Sequence, residues 1–365
     1  MNHKKIVFFV HCTDITPSTK RRVLDYLPHL AQAPYSIIVK SFTPPGLYKW
    51  YYNRSSSHSN FFIFFITELL YIGGGALILM LRFFALIALL FTTQSADIIF
   101  LQKISAPFWY PKLLQSVNKN IIYDLDDALF LLKPLSIREI IRVSKTVIVG
   151  SHYILRWVQK VNINACLIPT PVPLERFVPK NYSNSIKDSR LIIGWIGSPN
   201  TLEHLKLLRP VLDRLADEFP HIIMRIIGYS NKSALLPKLK LCKTECISSI
   251  PYHDVPAALR EFDIGVMPLI GKEWDKGKCA GKALEYMAAG VPAIASRFGE
   301  NEYVIEDGKN GFLASDTEEW IEKLSSLIKD ADLRKRIGLA GRKTVEEKYA
   351  VSVTVNQLLH VIETI

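Results

Sequence analysis

The sequence predicts an α/β protein in two halves, each a Rossmann-like domain with a parallel sheet covered by helices. Three observations predict it. Apolar runs of strand length alternate with longer helix-like segments along the chain. The stretch Pro169-Thr-Pro-Val-Pro173, with polar residues following to Lys187, interrupts that alternation near the middle. A chain of 365 residues, 49% hydrophobic and 22% charged, is long and apolar enough for two cores of ordinary size.

In the first half, Ile6–Val10 reads as a buried strand. Its apolar run stops at His11, too early for a secretory leader. A helix is predicted over Pro17–Ala31, and strands over Ser36–Lys40, Asp97–Leu101, Ile121–Asp124 and Thr146–Val149. In the second half the predicted strands are Leu191–Ile196, Ile222–Ile227, Phe262–Met267, Val291–Ala295 and Gly311–Leu313. The loop Gly197-Ser-Pro-Asn-Thr201 opens a helix expected over Leu202–Phe219, with Thr201 as its cap. The tail from Glu318 reads as helical. The expected organisation is a first domain over 1–172, a linker over 173–188, a second domain over 189–345, and a final helix over 346–365 that returns to the first domain. Two such sheets are expected to face each other across a ligand cleft outside the carboxyl ends of their strands.

Residues 61–91 break the pattern. Leu69–Leu81 and Phe83–Phe91 carry no charge, and Glu68 and Arg82 bracket the first run. Arg82 at the middle of a membrane span would cost about 2.5–3.5 kcal/mol, and Gly73-Gly74-Gly75 weakens a helix. The expectation is one or two apolar helices dipping into a membrane face, with a single span or an internal helix pair as the alternatives. The formal net charge of +11 calls for an anionic partner, whether phosphate, nucleic acid or acidic lipid. Residues 1–60 hold eight Lys or Arg against Asp14 and Asp25, an excess of six. No nucleic-acid-binding motif accompanies the charge, so an anionic membrane surface is expected and nucleic acid is not. Five scattered cysteines argue against a disulfide framework and for a reducing compartment. Cys242 and Cys246 lack a second pair or a histidine, so no metal site is expected.

The densest motif is Lys278-Cys-Ala-Gly-Lys-Ala-Leu-Glu-Tyr-Met-Ala-Ala-Gly-Val-Pro-Ala-Ile-Ala-Ser296. Lys278, Lys282 and Glu285 recur at i, i+4 and i+7, which places them on one helix face. Gly290 suits the helix end, and Pro292 opens a buried strand. Two cations and a carboxylate at a helix start can hold phosphate and sugar hydroxyls together. An ordinary Lys–Glu pair on a solvated face is the alternative.

With Ile193-Gly-Trp-Ile-Gly-Ser198, Gly265-Val-Met-Pro-Leu269, Gly299–Leu313 and Leu333–Arg342, that motif resembles the nucleotide-sugar half of a family 4 glycosyltransferase of the GT-B fold. Tyr123-Asp-Leu-Asp-Asp127 and Val149-Gly-Ser-His152 resemble the same group. The resemblance implies retaining transfer of a sugar from a nucleotide diphosphate donor, without metal or other cofactor. With it, the apolar segment 61–91 and the basic first half suggest a lipid-linked or membrane-proximal glycan or glycolipid acceptor, as in surface polysaccharide or lipopolysaccharide assembly, with the protein peripheral or monotopic at the cytoplasmic face of the cell membrane. Glu285 matches the second glutamate of the family's pair, which contacts the ribose. The first falls at position 277, where this chain has Gly277, and the usual Arg and Lys after the second domain's first strand are also absent.

The donor-binding residues implied are Gly197, Ser198, Asn200, Lys278, Lys282, Glu285, Asn301 and Glu302. Lys278 and Lys282 supply the missing positive charge. For Asn301 and Glu302 the alternative is an acidic helix start satisfying the macrodipole. Asp124, Asp126 and Asp127 follow a buried strand where an acceptor hydroxyl would be oriented or deprotonated. With Lys278 they form the catalytic set; Asp124 as a helix cap is the alternative. Thr19, Lys20 and Arg21 lie on the loop after the first strand, and His11 and His152 are candidates by position. An inactive nucleotide- or glycan-binding relative and a nucleotide-sugar epimerase are the rival readings.

Overall fold

The computed structural model describes residues 3–12, 16–43, 77, 79–182, 190–229, 243–248 and 250–365. Residues 61–76 and 78 of the apolar segment, Cys242 and residues 183–188 of the expected linker lie outside these. The chain divides into two compact units, residues 1–169 with 354–365, and residues 170–353.

The first unit holds six parallel strands: β1 (Lys4–Val10), β2 (Tyr35–Ser41), β3 (Ile98–Gln102), β4 (Ile121–Leu125), β5 (Thr146–Val149) and β6 (Ala165–Leu167). Their order is β2-β1-β3-β4-β5-β6, with Val7 opposite Ile99 and Phe100 opposite Ile122. The second unit repeats the plan with β7 (Leu191–Ile196), β8 (Ile222–Ile227), β9 (Lys243–Ile247), β10 (Ile264–Met267), β11 (Ala293–Ser296) and β12 (Phe312–Ala314). Its order is β12-β11-β10-β7-β8-β9. In both sheets the winding reverses direction beside the first strand, between β1 and β3 and between β7 and β10. Such a switch point leaves a crevice at the carboxyl ends of the two flanking strands.

Central strands of a parallel sheet are covered on both faces, so they read as continuous apolar runs. Ile6, Val7, Phe8 and Val10 are completely buried, and the Phe8 and Phe100 rings lie 4.8 Å apart. In the second unit, Trp195, Leu212 and Trp320 belong to one apolar cluster, and Phe262, Tyr286 and Met287 to the other. The predicted strands are all present, with ends shifted by a few residues. Two further strands, β6 and β9, escape the sequence pattern. Both are sheet edges: no residue of β9 is buried, so hydrogen bonding alone marks it.

Two predicted helices are broken: the first at Val23 and again where Pro28 opens a new short helix, the second where Pro210, which cannot donate to the residue four positions back, opens another. Pro17–Ala31 becomes a helix over Pro17–Arg22, a 3₁₀ turn over Leu24–Tyr26 and a short helix over Leu27–Leu30. Leu202–Phe219 becomes a 3₁₀ segment over Pro199–Leu208 and a helix over Arg209–Glu218 that Pro210 opens. Thr201 does not cap it; its hydroxyl donates to the Ser198 carbonyl at 2.9 Å. Residues 79–93 form a helix, and no helix among the described residues is long and apolar enough to cross a membrane.

The first unit is locked by one buried ion pair. The Arg22 side chain, 2% exposed, donates from Nε to both Asp124 carboxylate oxygens at 3.1 and 3.2 Å, and from a terminal nitrogen to the Ile168 carbonyl at 2.6 Å. It thereby ties the first helix to β4 and to the chain just after β6. Burial works against the guanidinium charge, but the adjacent Asp124 carboxylate outweighs it and holds the Arg22 pKa above its ordinary value. The helix Val351–Glu363 completes this unit, with Thr354, Leu358 and Ile362 buried and Lys145 Nζ bonded to the Ile365 carbonyl oxygen at 3.0 Å.

Removing one partner of such a pair strands the other charge out of water. Arg22→Ala is expected to lower unfolding free energy by about 3–5 kcal/mol, measured by urea titration of the purified protein.

Candidate functional site

At the second switch point, three loops converge on the start of the Gly281–Ala288 helix. The first follows β7. Gly197 N–H donates to the Ile227 carbonyl, and the backbones of Gly197 and Gly228 come so close that a Cβ on Gly228 would lie 1.8 Å from the Gly197 oxygen. Gly228 also has φ +96°, open to glycine at little cost. The Lys282 side chain passes beside Gly197 and sets its ammonium 5.7 Å from the centre of the Trp195 ring, a cation–π distance.

The second loop follows β10. Asp275, 2% exposed, accepts from Lys272 N–H at 3.1 Å and lies 3.6 Å from the Lys278 ammonium and 3.5 Å from His204 Nε2. His204 Nδ1 accepts from Ile270 N–H at 3.4 Å. Burial pushes the His204 pKa down to about 4; Asp275 opposes this, and the Lys278 and Lys282 charges reinforce it. The imidazole is therefore neutral at pH 7 and pins the loop from both ring nitrogens. The third loop follows β11. Asn301 is buried; its amide donates to the Ser296 carbonyl at 3.0 Å, while its Oδ1 has no partner among the described residues. Gly299 packs against the Asp275–Lys276 backbone.

Lys278, Lys282 and Glu285 do not share one helix face as the spacing predicts. Lys278 is extended, at φ −69° and ψ 143°, and Ala280 turns left-handed at φ 51° before the helix begins at Gly281. The kink sends Lys278 to Asp275 and leaves Lys282 and Glu285 on the first two turns. Glu285 is 5% exposed. Ser198 occupies the N-cap position of the Pro199–Leu208 segment, whose first turn holds Asn200; Glu302 is exposed. Sequence reasoning missed His204 and Asp275, since neither stands in a motif and only the fold brings them together.

At the first switch point, Gln102 ends β3 and Lys103 follows it, and Asp126 and Asp127 follow β4. Thr19, completely buried, bonds to Gln102 Oε1 at 3.0 Å, and Gln102 donates to Ser18 at 2.9 Å. Lys103 holds both Asp126, at 3.5 Å, and Asp127, and Ser18 donates to Asp126. Burial opposes ionisation of Asp126, but Lys103 and the Ser18 hydroxyl outweigh it and hold that carboxyl below its ordinary range. Asp124 is not a helix cap; its carboxylate serves Arg22. Lys20 and Arg21 are half-buried on the Pro17–Arg22 helix. His11, after β1, has its pKa lowered to about 4 by burial and then by Arg82, Lys103 and Lys133. His152 starts the His152–Val158 helix, which Ser151 caps. Among the described residues, no group of three or more His, Cys, Asp or Glu is placed to hold a metal.

Two outcomes are expected. Gly228→Ala forces apart the β7 and β8 loops and should destabilise the fold by about 1–3 kcal/mol, read by thermal melting. Because His11 and His204 have depressed pKa values, the unfolded chain takes up their protons first. The stability they contribute is fully present above pH 6.5 and is lost as pH falls through about 4. At pH 5, His204→Gln should unfold with about one proton fewer taken up than the parent, measured from melting curves across pH.

Residues 190–330 match the family model described as glycosyl transferases group 1. The chain is 26% identical over 186 residues to the spore coat protein SA of Bacillus subtilis, covering 47% of this chain and 48% of that protein. It is 36% identical over 112 residues to the phosphatidyl-myo-inositol mannosyltransferase of Mycobacterium leprae, covering 30% of this chain and 28% of the relative. The chain thus spans about half the length of the first relative and less of the second. Anabaena HepE, solved in complex with UDP-glucose, superposes with a TM-score of 0.69 over 99% of this chain and 100% of that one, at 12% identity. The two six-stranded parallel sheets are those of the GT-B fold, and within the second of them residues 190–330 are similar to the glycosyl transferases group 1.

Proposed function

We propose that the protein transfers a sugar from a nucleoside diphosphate sugar to a glycan acceptor that is lipid-linked or close to a membrane, with retention of anomeric configuration. The observation that carries this reading is the convergence of Lys278, Lys282, buried Glu285 and the Gly197 loop at the second switch point. A diphosphate leaving group needs positive charge as its bond to the sugar breaks. Lys278 and Lys282 supply it, and the amides of the 197–200 loop add hydrogen bonds. Glu285 is a buried acceptor for ribose hydroxyls, and the Asn301 Oδ1 is an acceptor awaiting a donor. Position 277 is glycine, so either backbone amides around it hold the donor sugar or that sugar sits elsewhere.

In the reaction the acceptor oxygen bonds to the anomeric carbon while the bond from that carbon to the leaving phosphate breaks. The acceptor proton leaves with the phosphate. Asp126, whose carboxyl Lys103 and the Ser18 hydroxyl hold below its ordinary range, and Asp127, paired with the same lysine, orient the acceptor hydroxyl; a carboxylate stabilised as Asp126 is makes a weak base. UDP-glucose on Anabaena HepE and the lipid named for the mycobacterial mannosyltransferase support a nucleotide-sugar donor and a lipid-borne acceptor. The absence of a glutamate at 277 favours one other reading, a binding protein that no longer turns over.

Calorimetry with UDP, GDP, ADP and CMP tests the donor site. One nucleotide should bind selectively, and Lys282→Ala and Glu285→Ala should each weaken it by roughly tenfold or more. A folded protein that binds none of them refutes the proposal; binding without sugar transfer to any glycolipid acceptor supports the binding-protein reading.

A further inference from the structure

The helix at 79–93 is apolar on two opposite faces. Leu86, Leu89 and Thr93 are buried on one side, and Tyr110 donates its hydroxyl proton to the Leu86 carbonyl at 2.5 Å. On the other side Met80, Phe83, Phe84 and Phe91, spaced for a single face, are 49–68% exposed. A helix facing water would carry polar residues there.

Two neighbouring segments show the same character. The turn that leads into the Tyr110–Val117 helix exposes Phe108 and Trp109, the latter by 51%. The start of the Pro134–Val143 helix exposes Leu132 and Leu135, by 68% and 72%. Direct contacts join the three. Tyr110 bonds to the 79–93 helix, Lys133 Nζ bonds to Ser105 at 2.9 Å, and Ser136 accepts from Ala106 N–H at 3.2 Å. The charge is one-sided: 79–93, 104–117 and 128–138 contain Arg82, Lys112, Lys133 and Arg138 and no Asp or Glu. Arg82 and Lys133 stand near enough that each disfavours a proton on His11, and Arg82 lowers the Lys133 pKa beyond what burial does.

We propose that these three segments form one face by which the first unit lies on an anionic lipid bilayer. Aromatic and leucine side chains enter the acyl boundary, and the four cations meet the headgroup phosphates. The acid-free composition selects the occupant, because a protein partner or a second copy of this positively charged chain offers no comparable phosphate layer. His11 touches the field of Arg82 and Lys133 and that of Lys103 and Asp126, so the face borders the first switch point. A glycolipid in the bilayer would present its headgroup there without leaving the membrane. The inference deepens the acceptor class proposed above, yet its test needs neither nucleotide nor sugar.

Flotation of the full chain with phosphatidylcholine vesicles, with and without phosphatidylglycerol, reads the face directly. The parent protein should float with the anionic vesicles and less with the neutral ones, and salt should weaken the binding. The pairs Phe83→Ser with Phe84→Ser, and Phe108→Ser with Trp109→Ser, should each lower the bound fraction by about tenfold. Both pairs are exposed, so melting should stay near the parent value, and either pair alone suffices if the other fails to fold. Leu339→Ser, exposed in the second unit, should bind as the parent does. A parent protein that stays unbound with anionic vesicles at low salt overturns the proposal. So does a parent that floats equally well with both pairs replaced. Light scattering that shows a dimer dispersed by these substitutions, without vesicle binding, assigns the face to self-association instead. Nucleotide affinity unchanged in the paired variants separates failure here from failure of the donor site.

Discussion

A parallel sheet that winds outward in both directions from one strand cannot close over the ends of the two strands where the winding reverses. Among the described residues, the two candidate clusters stand at those two places. His11 and Lys103 follow the strands that flank the first reversal; Gly197 and the Leu269–Lys278 loop follow those that flank the second. The loops need not be long, because strand register already brings them together. What remains is to keep them from collapsing into the gap, and each unit does so with backbone packing and a few buried polar contacts.

The two units use buried charge differently. In the first, Arg22 and Asp124 are sealed from water, and the pair joins segments distant in sequence. A neighbouring carboxylate, Asp126, shares its lysine with Asp127 and stays nearer the surface. In the second, the buried carboxylate of Asp275 is partnered by a neutral imidazole and by Lys278. Lys278 is thus anchored at one end of the loop with its charge only partly neutralised, a condition suited to meeting an incoming anion. His204 bears on that lysine's placement through Asp275, which makes it a positioning residue.

The fold was legible because buried parallel strands must be apolar along their whole length. Ile6–Val10 and Leu191–Ile196 announce themselves, whereas Lys243–Ile247, paired on one side only, is chemically a loop that happens to hydrogen bond. The glycine motifs marked the second switch point correctly, because a close backbone approach leaves a sequence trace. The direction in which Lys278 points left none: it depends on a single left-handed residue, Ala280, where glycine was the expected signal. Asp124 was visible as an acid after a strand, but its engagement depends on Arg22, 102 residues earlier. Contacts at that separation exist only once the sheet has formed.

The last twelve described residues belong with the first 169 and not with the segment they follow. A ribosome therefore delivers the second unit whole while the first still lacks the helix carrying Leu358 and Ile362. Until that helix arrives, the apolar surface around Tyr26 and β6 lacks its cover, and the earlier-made unit is completed only after the later-made one. Nascent chains stalled before residue 354 would carry a completed second unit beside an open first one, a state that chaperones recognise by its exposed apolar surface.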